Sequence, residues 1–304
     1  MKNHLFSNRS VAITLGLGLM GAASQKAMAF DVWSQSYVGI FNHDFGGGLG
    51  FLDSDGHANG ALSSASTNTS FTGMNGMGNQ QTMNFQSTNR AQSEFGRLHC
   101  YASGTVTNTY YNPSNPYYYN SVTNTYNTSG SPDGLYSLGF AGFNDTLHYG
   151  GSLQAGYKAR YYFHVDGANT GPGAVADMSF GIQGNPDESF FAFDPGSYNT
   201  TWVTQSYDVN GVTPQNMHVQ FSNQFVVDIW NGVADGSNIS GKSDFFSTLT
   251  LAGIEMLDAN GNRVSGWTVT SDSGTQYATV PEPASFAVIS IGVLGFIARR
   301  RKRI

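Results

Sequence analysis

Cysteine and basic residues are scarce in this sequence of 304 residues. Cys100 is the single cysteine, which excludes an intramolecular disulfide. Eight of the 14 Lys and Arg residues lie before residue 30 or after residue 298, whereas all 20 acidic residues lie between Asp31 and Glu282. Six basic against 20 acidic residues give the body of the chain a net charge of −14 before histidine. Such a surface repels nucleic acid and anionic lipid, so we expect no nucleic-acid partner.

Motifs that would identify an enzyme are also absent. The sequence contains no Gly-x-Ser-x-Gly elbow, no His-Glu-x-x-His helix and no phosphate-binding glycine loop. His99 and Cys100 are adjacent, but neighbours on a strand point to opposite faces, which argues against a catalytic pair. Asp187, Glu188 and Asp194 lie beside prolines and are more simply a solvated loop than a glycosidase pair. We therefore predict no catalytic residues, and a secreted hydrolase is the least favoured alternative.

Good helix formers are few, whereas strand and turn formers are abundant. Dipeptides that favour tight turns recur along the body: Asn59-Gly60, Asn75-Gly76, Asn210-Gly211, Asn231-Gly232, Asn260-Gly261, Asp55-Gly56, Asp133-Gly134, Asp166-Gly167 and Asp235-Gly236. This pattern predicts an all-β fold, a single antiparallel β-sandwich of jelly-roll type with long loops rich in Gly, Asn and Tyr.

Alternation of apolar and polar residues predicts individual strands. It runs from Tyr157 to Val165, with Asp166-Gly167 expected to end that strand. A second strand begins at Met217 and extends towards Trp230. The apolar positions shift phase near Gly253, which indicates a β-bulge.

Two other regions carry weaker signals. The stretch from Phe41 to Arg90 is rich in glycine and small polar residues, and we predict long loops there with one or two strands. After the turn at Asn260-Gly261, the segment from Val264 to Thr270 is predicted to return as the second strand of a final hairpin.

Acidic residues offer two weak candidates for a calcium site. Asp53-Ser54-Asp55-Gly56 has alternating carboxylates, but the following residues do not fit an EF-hand loop, so a turn with incidental carboxylates is favoured. The segment from Asp258 to Asn262 is better explained by turn geometry. We expect no metal and no cofactor, with Ca²⁺ as the alternative.

A tyrosine-rich stretch is the best candidate for ligand binding. Tyr117, Tyr118 and Tyr119 follow Tyr110 and Tyr111 in a proline-containing segment. Aromatic faces stack on sugar rings, so this loop is a candidate glycan contact. The alternative is that these tyrosines fill the rim of the sandwich as ordinary amphipathic packing.

The N-terminal segment reads as a secretory signal peptide over residues 1–29. Lys2 and Arg9 form the basic region, an apolar core follows, and Ala27 and Ala29 mark a small-x-small cleavage site. We therefore expect export by the Sec machinery and cleavage by signal peptidase, which makes Phe30 the mature N-terminus.

The C-terminal segment has three parts in fixed order. Pro281, Glu282 and Pro283 come first and hold the backbone extended. An uncharged apolar run of about 22 Å of helix follows over residues 284–298, shorter than a stable membrane span usually needs. Five basic residues then end the segment at the cytoplasmic side of a membrane: Arg299, Arg300, Arg301, Lys302 and Arg303.

This arrangement resembles the PEP-CTERM sorting signal of Gram-negative envelope proteins. The resemblance implies a transient inner-membrane anchor, recognition by an exosortase, and release or attachment at the cell surface or in the extracellular matrix. An ordinary tail anchor and a buried C-terminal helix are the alternatives. A buried helix would not end in five cations, and a tail anchor would not normally follow a cleavable signal.

The sequence therefore divides into a signal peptide (1–29), a β-sandwich ectodomain (30–274), a linker (275–280) and a sorting signal (281–304). We predict an exported envelope or matrix protein with a structural or interaction role in an exopolysaccharide or biofilm matrix. The alternative is a carbohydrate-binding module that recognises exopolysaccharide through the tyrosine loop.

Overall fold

A computed structural model describes residues 30–41, 50–74, 79–109, 134–228 and 236–280. These residues form fourteen β-strands. In chain order the strands are β1 (Asp31–Phe41), β2 (Gly50–His57), β3 (Ser63–Met74), β4 (Gln80–Glu94), β5 (Arg97–Thr107), β6 (Gly134–Gly151), β7 (Lys158–Thr170), β8 (Ala174–Ile182), β9 (Glu188–Ala192), β10 (Gly196–Val203), β11 (Tyr207–Asp208), β12 (Gln215–Asp228), β13 (Ile239–Leu257) and β14 (Trp267–Ser271).

The strands form two antiparallel sheets of seven strands each. Sheet A has the order β2-β1-β6-β12-β8-β9, and β14 pairs with β6 beyond the start of β1. Sheet B has the order β10-β7-β13-β5-β4-β3, and β11 pairs with the start of β7. The prediction of an all-β fold with antiparallel sheets is confirmed. The jelly-roll arrangement stays a prediction.

The core lies between the sheets and takes large apolar side chains from both. Sheet A contributes Phe143, Phe180 and Phe221, and sheet B contributes Tyr161 and Phe163. These side chains are at most 1% exposed. Tyr161 and Phe163 come from a strand whose alternate residues face outward, whereas Phe180 comes from a strand that is buried on both faces.

The alternating strands predicted from the sequence are present. β7 buries Ala159, Tyr161, Phe163 and Val165, and β12 runs to Asp228. The predicted bulge is also confirmed, because the pairing of β13 with β7 shifts register between Leu251 and Gly253. The predicted end of β7, however, is wrong.

Asp166-Gly167 does not end β7, which continues to Thr170. Gly167 lies within the strand because the ring of Phe245 occupies the space next to it. A Cβ on Gly167 would lie 2.4 Å from that ring. Asp55-Gly56 likewise lies inside β2 rather than at a turn.

For the described residues between Phe41 and Arg90, the prediction of long loops is also wrong. β2, β3 and most of β4 occupy this stretch. The inward positions are filled by small side chains such as Ser63 and Ala65 as well as by Met83 and Phe85. Small inward residues make the alternation hard to see in the sequence.

The predicted final hairpin is replaced by a crossover between the sheets. β13 belongs to sheet B, whereas β14 pairs with β6 of sheet A. Only a short bridge between Leu257 and Arg263 follows the turn. Gly266, at a φ of 76°, then redirects the chain towards sheet A.

The predicted C-terminal membrane helix falls outside the described residues. Within the part of the chain that the structure describes, no helix is long and apolar enough to span a bilayer.

Candidate functional site

Most residues singled out from the sequence lie outside the described part of the chain. This holds for the cleavage residues Ala27 and Ala29, for Tyr110, Tyr111 and Tyr117–Tyr119, and for the sorting residues Pro281, Glu282, Pro283, Arg299, Arg300, Arg301, Lys302 and Arg303. Two regions nevertheless bear on function. They are the segment that leads into the sorting motif and the outer face of sheet B.

Residues 272–280, which we call the C-terminal strap, lie against the folded body. The amide of Ile254 donates a hydrogen bond to the Ala278 carbonyl (2.9 Å), and the amide of Val280 donates to the Ile254 carbonyl (2.9 Å). Thr279 forms a parallel bridge with Ile254. Backbone pairing therefore fixes the strap on β13 up to the residue before Pro281.

A buried carboxylate holds the middle of the strap. Asp145 on β6 is 1% exposed and accepts hydrogen bonds from the hydroxyls of Ser273 and Tyr277, each at 2.6 Å. The backbone amides of Ser273 and Thr146 donate to its other oxygen. Burial and the neighbouring carboxylate raise the pKa of Tyr277, so its hydroxyl stays protonated and donates. Four donors offset the cost of burying this carboxylate.

The segment 275–280, predicted as a linker, is thus part of the folded body. Tyr277 is 8% exposed, and its side chain packs on the hydrophobic core. The sequence signal was a single aromatic residue among small polar ones, which alternation rules overlook. As a result, the sorting motif begins directly at the surface of the sandwich.

The charges of the body are distributed unevenly between the sheets. Five of its six basic residues lie on strands of sheet B, and the strands of sheet A carry none. These five are Arg90, Arg97, Lys158, Arg160 and Lys242. The sixth, Arg263, follows β13 and contacts Glu255 of that strand.

Most of these cations are neutralised by a nearby carboxylate. Lys158 lies 3.5 Å from Asp208, and Lys242 lies 3.2 Å from Asp244. Arg160 lies 3.7 Å from Glu255, which it shares with Arg263. Arg90 and Arg97 form no ion pair with any described residue.

Arg90 is held by aromatic rings instead of by a carboxylate. Its guanidinium carbon lies 4.9 Å from the ring centroid of Tyr101 and 5.1 Å from that of Phe246. Tyr101 is the cross-strand partner of Arg90. Phe246 lies within a bulge of β13, where the pairing with β5 shifts register between Phe245 and Leu249. We call Arg90, Tyr101, Phe246 and the adjacent His99 the arginine stack.

His99 completes the stack on the outer face of β5. Its ring centroid lies 5.6 Å from that of Phe246, and its Nδ1 lies 2.7 Å from the Phe246 carbonyl oxygen. A carbonyl only accepts hydrogen bonds, so Nδ1 carries the proton and donates. In the neutral ring, Nε2 is then an acceptor.

A groove of about 450 Å³ lies beside the arginine stack on the same strands. Its outward-facing side chains are hydroxyls, an amide and one amine: Gln86, Thr88, Ser103, Thr105, Thr170, Ser240 and Lys242. Gly104 and Gly241 face each other below it, and the ring of Phe225 packs against both from the core. A Cβ on Gly104 would lie 2.3 Å from that ring, so the pair must remain glycine for sheet B to lie on Phe225.

The candidate calcium residues are occupied by hydrogen bonds within the protein. Asp53 accepts from the amide of Ser66 (2.7 Å) and Asp55 from the amide of Ser64 (3.0 Å), so both bind the neighbouring strand β3. Asp258 accepts from the amides of Asn260 and Asn262 within its own turn. Among the described residues, no group of three or more His, Cys, Asp or Glu could hold a metal ion.

The other candidate reactive residues have hydrogen-bond or ion-pair partners elsewhere in the protein. Cys100 is fully buried, its thiol donates to the Phe221 carbonyl (3.3 Å), and burial raises its pKa well above the usual range. His99 lies on the opposite face of β5. Asp187 pairs with His218 (3.1 Å), whereas Glu188 accepts from the amide of Gln205 (3.0 Å). These residues do not form a catalytic group with one another through any described contact.

Comparison with known proteins identifies a sorting motif at the C-terminal end of the chain. Residues 279–302 match the family model of the PEP-CTERM protein-sorting motif. No curated protein sequence matches the chain. The motif supports an exported protein that has a C-terminal membrane anchor, is processed by an exosortase and is sorted to the cell surface.

Proposed function

We propose that this exosortase substrate is a non-enzymatic structural or interaction protein of the cell envelope and extracellular matrix of a Gram-negative bacterium. Its role is in a biofilm or exopolysaccharide matrix. The observation that carries the proposal is the junction at residues 279–280. There the sorting motif starts on residues that are still hydrogen-bonded to β13.

This junction has a consequence for how the body is displayed. Because the strap is fastened up to Val280, only the motif itself separates the sandwich from the membrane segment. The body is then held close to the membrane until processing and is delivered as a folded unit. A compact acidic sandwich without disulfides supports a role in display or scaffolding.

The proposal is tested by changing the motif and leaving the fold intact. The double substitution Pro281→Ala with Glu282→Ala should preserve export but block processing, because an extended segment suits an enzyme cleft and the substitutions remove its rigidity and charge. Unprocessed protein should accumulate in the membrane fraction, as seen by fractionation and immunoblotting. Gln276→Ala is the matched control, since Gln276 is exposed and precedes the motif.

Three outcomes bear on the proposal. The intact mass of the exported form should correspond to a chain that begins near Phe30 and lacks Arg299–Arg303. Normal release of the double variant would refute sorting by this motif. A role in the matrix would be refuted if deletion of the gene left the composition and cohesion of the extracellular matrix unchanged.

The tyrosine loop at Tyr117–Tyr119 stays a prediction for glycan binding. Replacing all three tyrosines by alanine and measuring binding to a glycan array tests it separately.

A further inference from the structure

In a body with a net charge of −14, Arg90 and Arg97 are exposed and make no ion pair with any described residue. Both project from the outer face of sheet B, on the neighbouring strands β4 and β5. Glu94 lies directly across from Arg97, whereas Asp244, across from Tyr101, is paired with Lys242. Arg90 is therefore the cation of this face that is most available to an anionic ligand, and Arg97 is the second.

The arginine stack prepares Arg90 for such a ligand. A guanidinium that lies on aromatic rings keeps its N–H groups at the edges, where they bind a carboxylate through two parallel hydrogen bonds. Stacking on Tyr101 and Phe246 also limits the rotamers of Arg90, so little freedom is lost on binding. This arrangement favours a planar carboxylate over a diffuse charge.

The groove supplies recognition of hydroxyl groups next to the carboxylate site. Thr88 and Ser103 are two residues from Arg90 and Tyr101 on their strands, about 7 Å along the sheet. Their hydroxyls, and the Nε2 acceptor of His99, can exchange hydrogen bonds with a ligand rich in hydroxyls. The outward residues of β5 continue this surface from Thr105 to Arg97.

We propose that the outer face of sheet B binds an acidic polysaccharide whose carboxylates engage Arg90 and Arg97 and whose hydroxyls engage the groove. The ligand runs along the strands, because the cations, the stack and the groove follow one another in that direction. An acidic peptide fits less well, since the groove offers no apolar pocket for its side chains and lies on the face of the sheet rather than at a free edge.

This inference deepens the proposed matrix role and rests on it, because the matrix is where the protein would meet the polysaccharide. Binding itself is measured on the purified full-length chain in a non-ionic detergent. A failure of sorting and a failure of binding are therefore separate results. The probe is polygalacturonate, with dextran as the neutral polysaccharide and polyglutamate as the acidic peptide.

Arg90→Gln should weaken binding of polygalacturonate by about tenfold or more, because it removes the charge-assisted pair. Arg90→Lys should restore only part of the affinity, since an ammonium cannot form the bidentate contact. Arg97→Gln should weaken binding by a smaller factor. Lys158→Gln is the matched control, because it removes the same charge from the same sheet at a residue already paired with Asp208.

Selective binding of polygalacturonate that depends on Arg90 and not on Lys158 supports the proposal. Equal loss in Arg90→Gln and Lys158→Gln would reduce the effect to net charge and overturn the site. Stronger binding of polyglutamate would assign the face to an acidic peptide instead, and tight binding of dextran would overturn the role of the carboxylate. Far-ultraviolet circular dichroism of each variant confirms that the exposed substitutions leave the fold intact.

Discussion

The two sheets have the same number of strands but differ on their outer faces. The strands of sheet A carry seven acidic and no basic residues, whereas those of sheet B carry five of each. On sheet A, aromatic rings lie across glycines of the neighbouring strand: Trp33 covers Gly142 and Tyr136 covers Gly39. Both rings are nearly inaccessible, at 4% and 3% exposure. On sheet B, the corresponding surface holds the groove and the arginine stack.

This difference separates a face that stabilises the protein from the face that we propose binds a ligand. Trp33, Leu138 and Phe140 form a second apolar layer outside sheet A, so its outer face contributes to the fold. Sheet B keeps polar side chains and two unpaired cations on its outer face. Substitutions should therefore affect stability on sheet A and ligand binding on sheet B.

The largest effect is expected at Phe225, which joins the two sheets. Its ring projects from β12 of sheet A onto Gly104 and Gly241 of sheet B and is 0% exposed. Phe225→Ala leaves a cavity that neither glycine can fill, so the free energy of unfolding should fall by about 3–5 kcal/mol. Urea unfolding followed by tryptophan fluorescence measures it.

The neighbouring residue supplies the control for that prediction. Val226 is half-buried and points to the outer face of β12, so Val226→Ala should cost about 1 kcal/mol or less. If Phe225→Ala costs no more than Val226→Ala, contact between the sheets at this point does not contribute to stability.

The second effect depends on pH and belongs to sheet A. Asp177 on the outer face of β8 is 7% exposed, and burial raises its pKa to about 6 although Ser222 and Gln224 donate hydrogen bonds to it. Because the pKa in the folded state exceeds the unfolded value, the native state binds the proton more tightly between about pH 4 and pH 6. Stability should fall by about 2–3 kcal/mol as pH rises through this range.

The substitution Asp177→Asn isolates this contribution. The difference in the free energy of unfolding between wild type and variant should change between pH 4 and pH 7 and become constant above it. A difference that is the same at both pH values would show that Asp177 does not titrate near 6.

The strands could be predicted from the sequence where large apolar residues alternate with polar ones, but not where glycine could indicate either a turn or a strand. The alternation in β7 and β12 is strong because large apolar residues fill the inward positions, and the bulge near Gly253 is visible as a phase shift. Asp166-Gly167 misleads because glycine has two uses. It permits tight turns, but inside a sheet it also makes room for an aromatic ring from another strand, here Phe245.

The candidate site was less predictable for a different reason. Arg90, Tyr101 and Phe246 lie far apart in the sequence and meet only through the pairing of β4, β5 and β13. The scarcity of basic residues in the body was visible, but their placement on one sheet required the strand order. Tyr277 likewise lies outside any alternating pattern, so its contact with Asp145 could not be predicted from the sequence.

The smallest effect concerns the glycines that lie under the aromatic rings of sheet A. A Cβ on Gly142 would lie 2.2 Å from the Trp33 ring, and that ring is too buried to move freely. Gly142→Ala should therefore destabilise the protein by about 1–3 kcal/mol. Gly56 on β2 is the matched control, since its added Cβ would make only ordinary contacts, the nearest at 3.5 Å. Gly56→Ala should be neutral or slightly stabilising because alanine reduces the freedom of the unfolded chain. Thermal unfolding of the two variants side by side measures the difference. Equal melting temperatures would show that Trp33 can shift at little cost, and the outer face of sheet A would then not contribute to stability at this point.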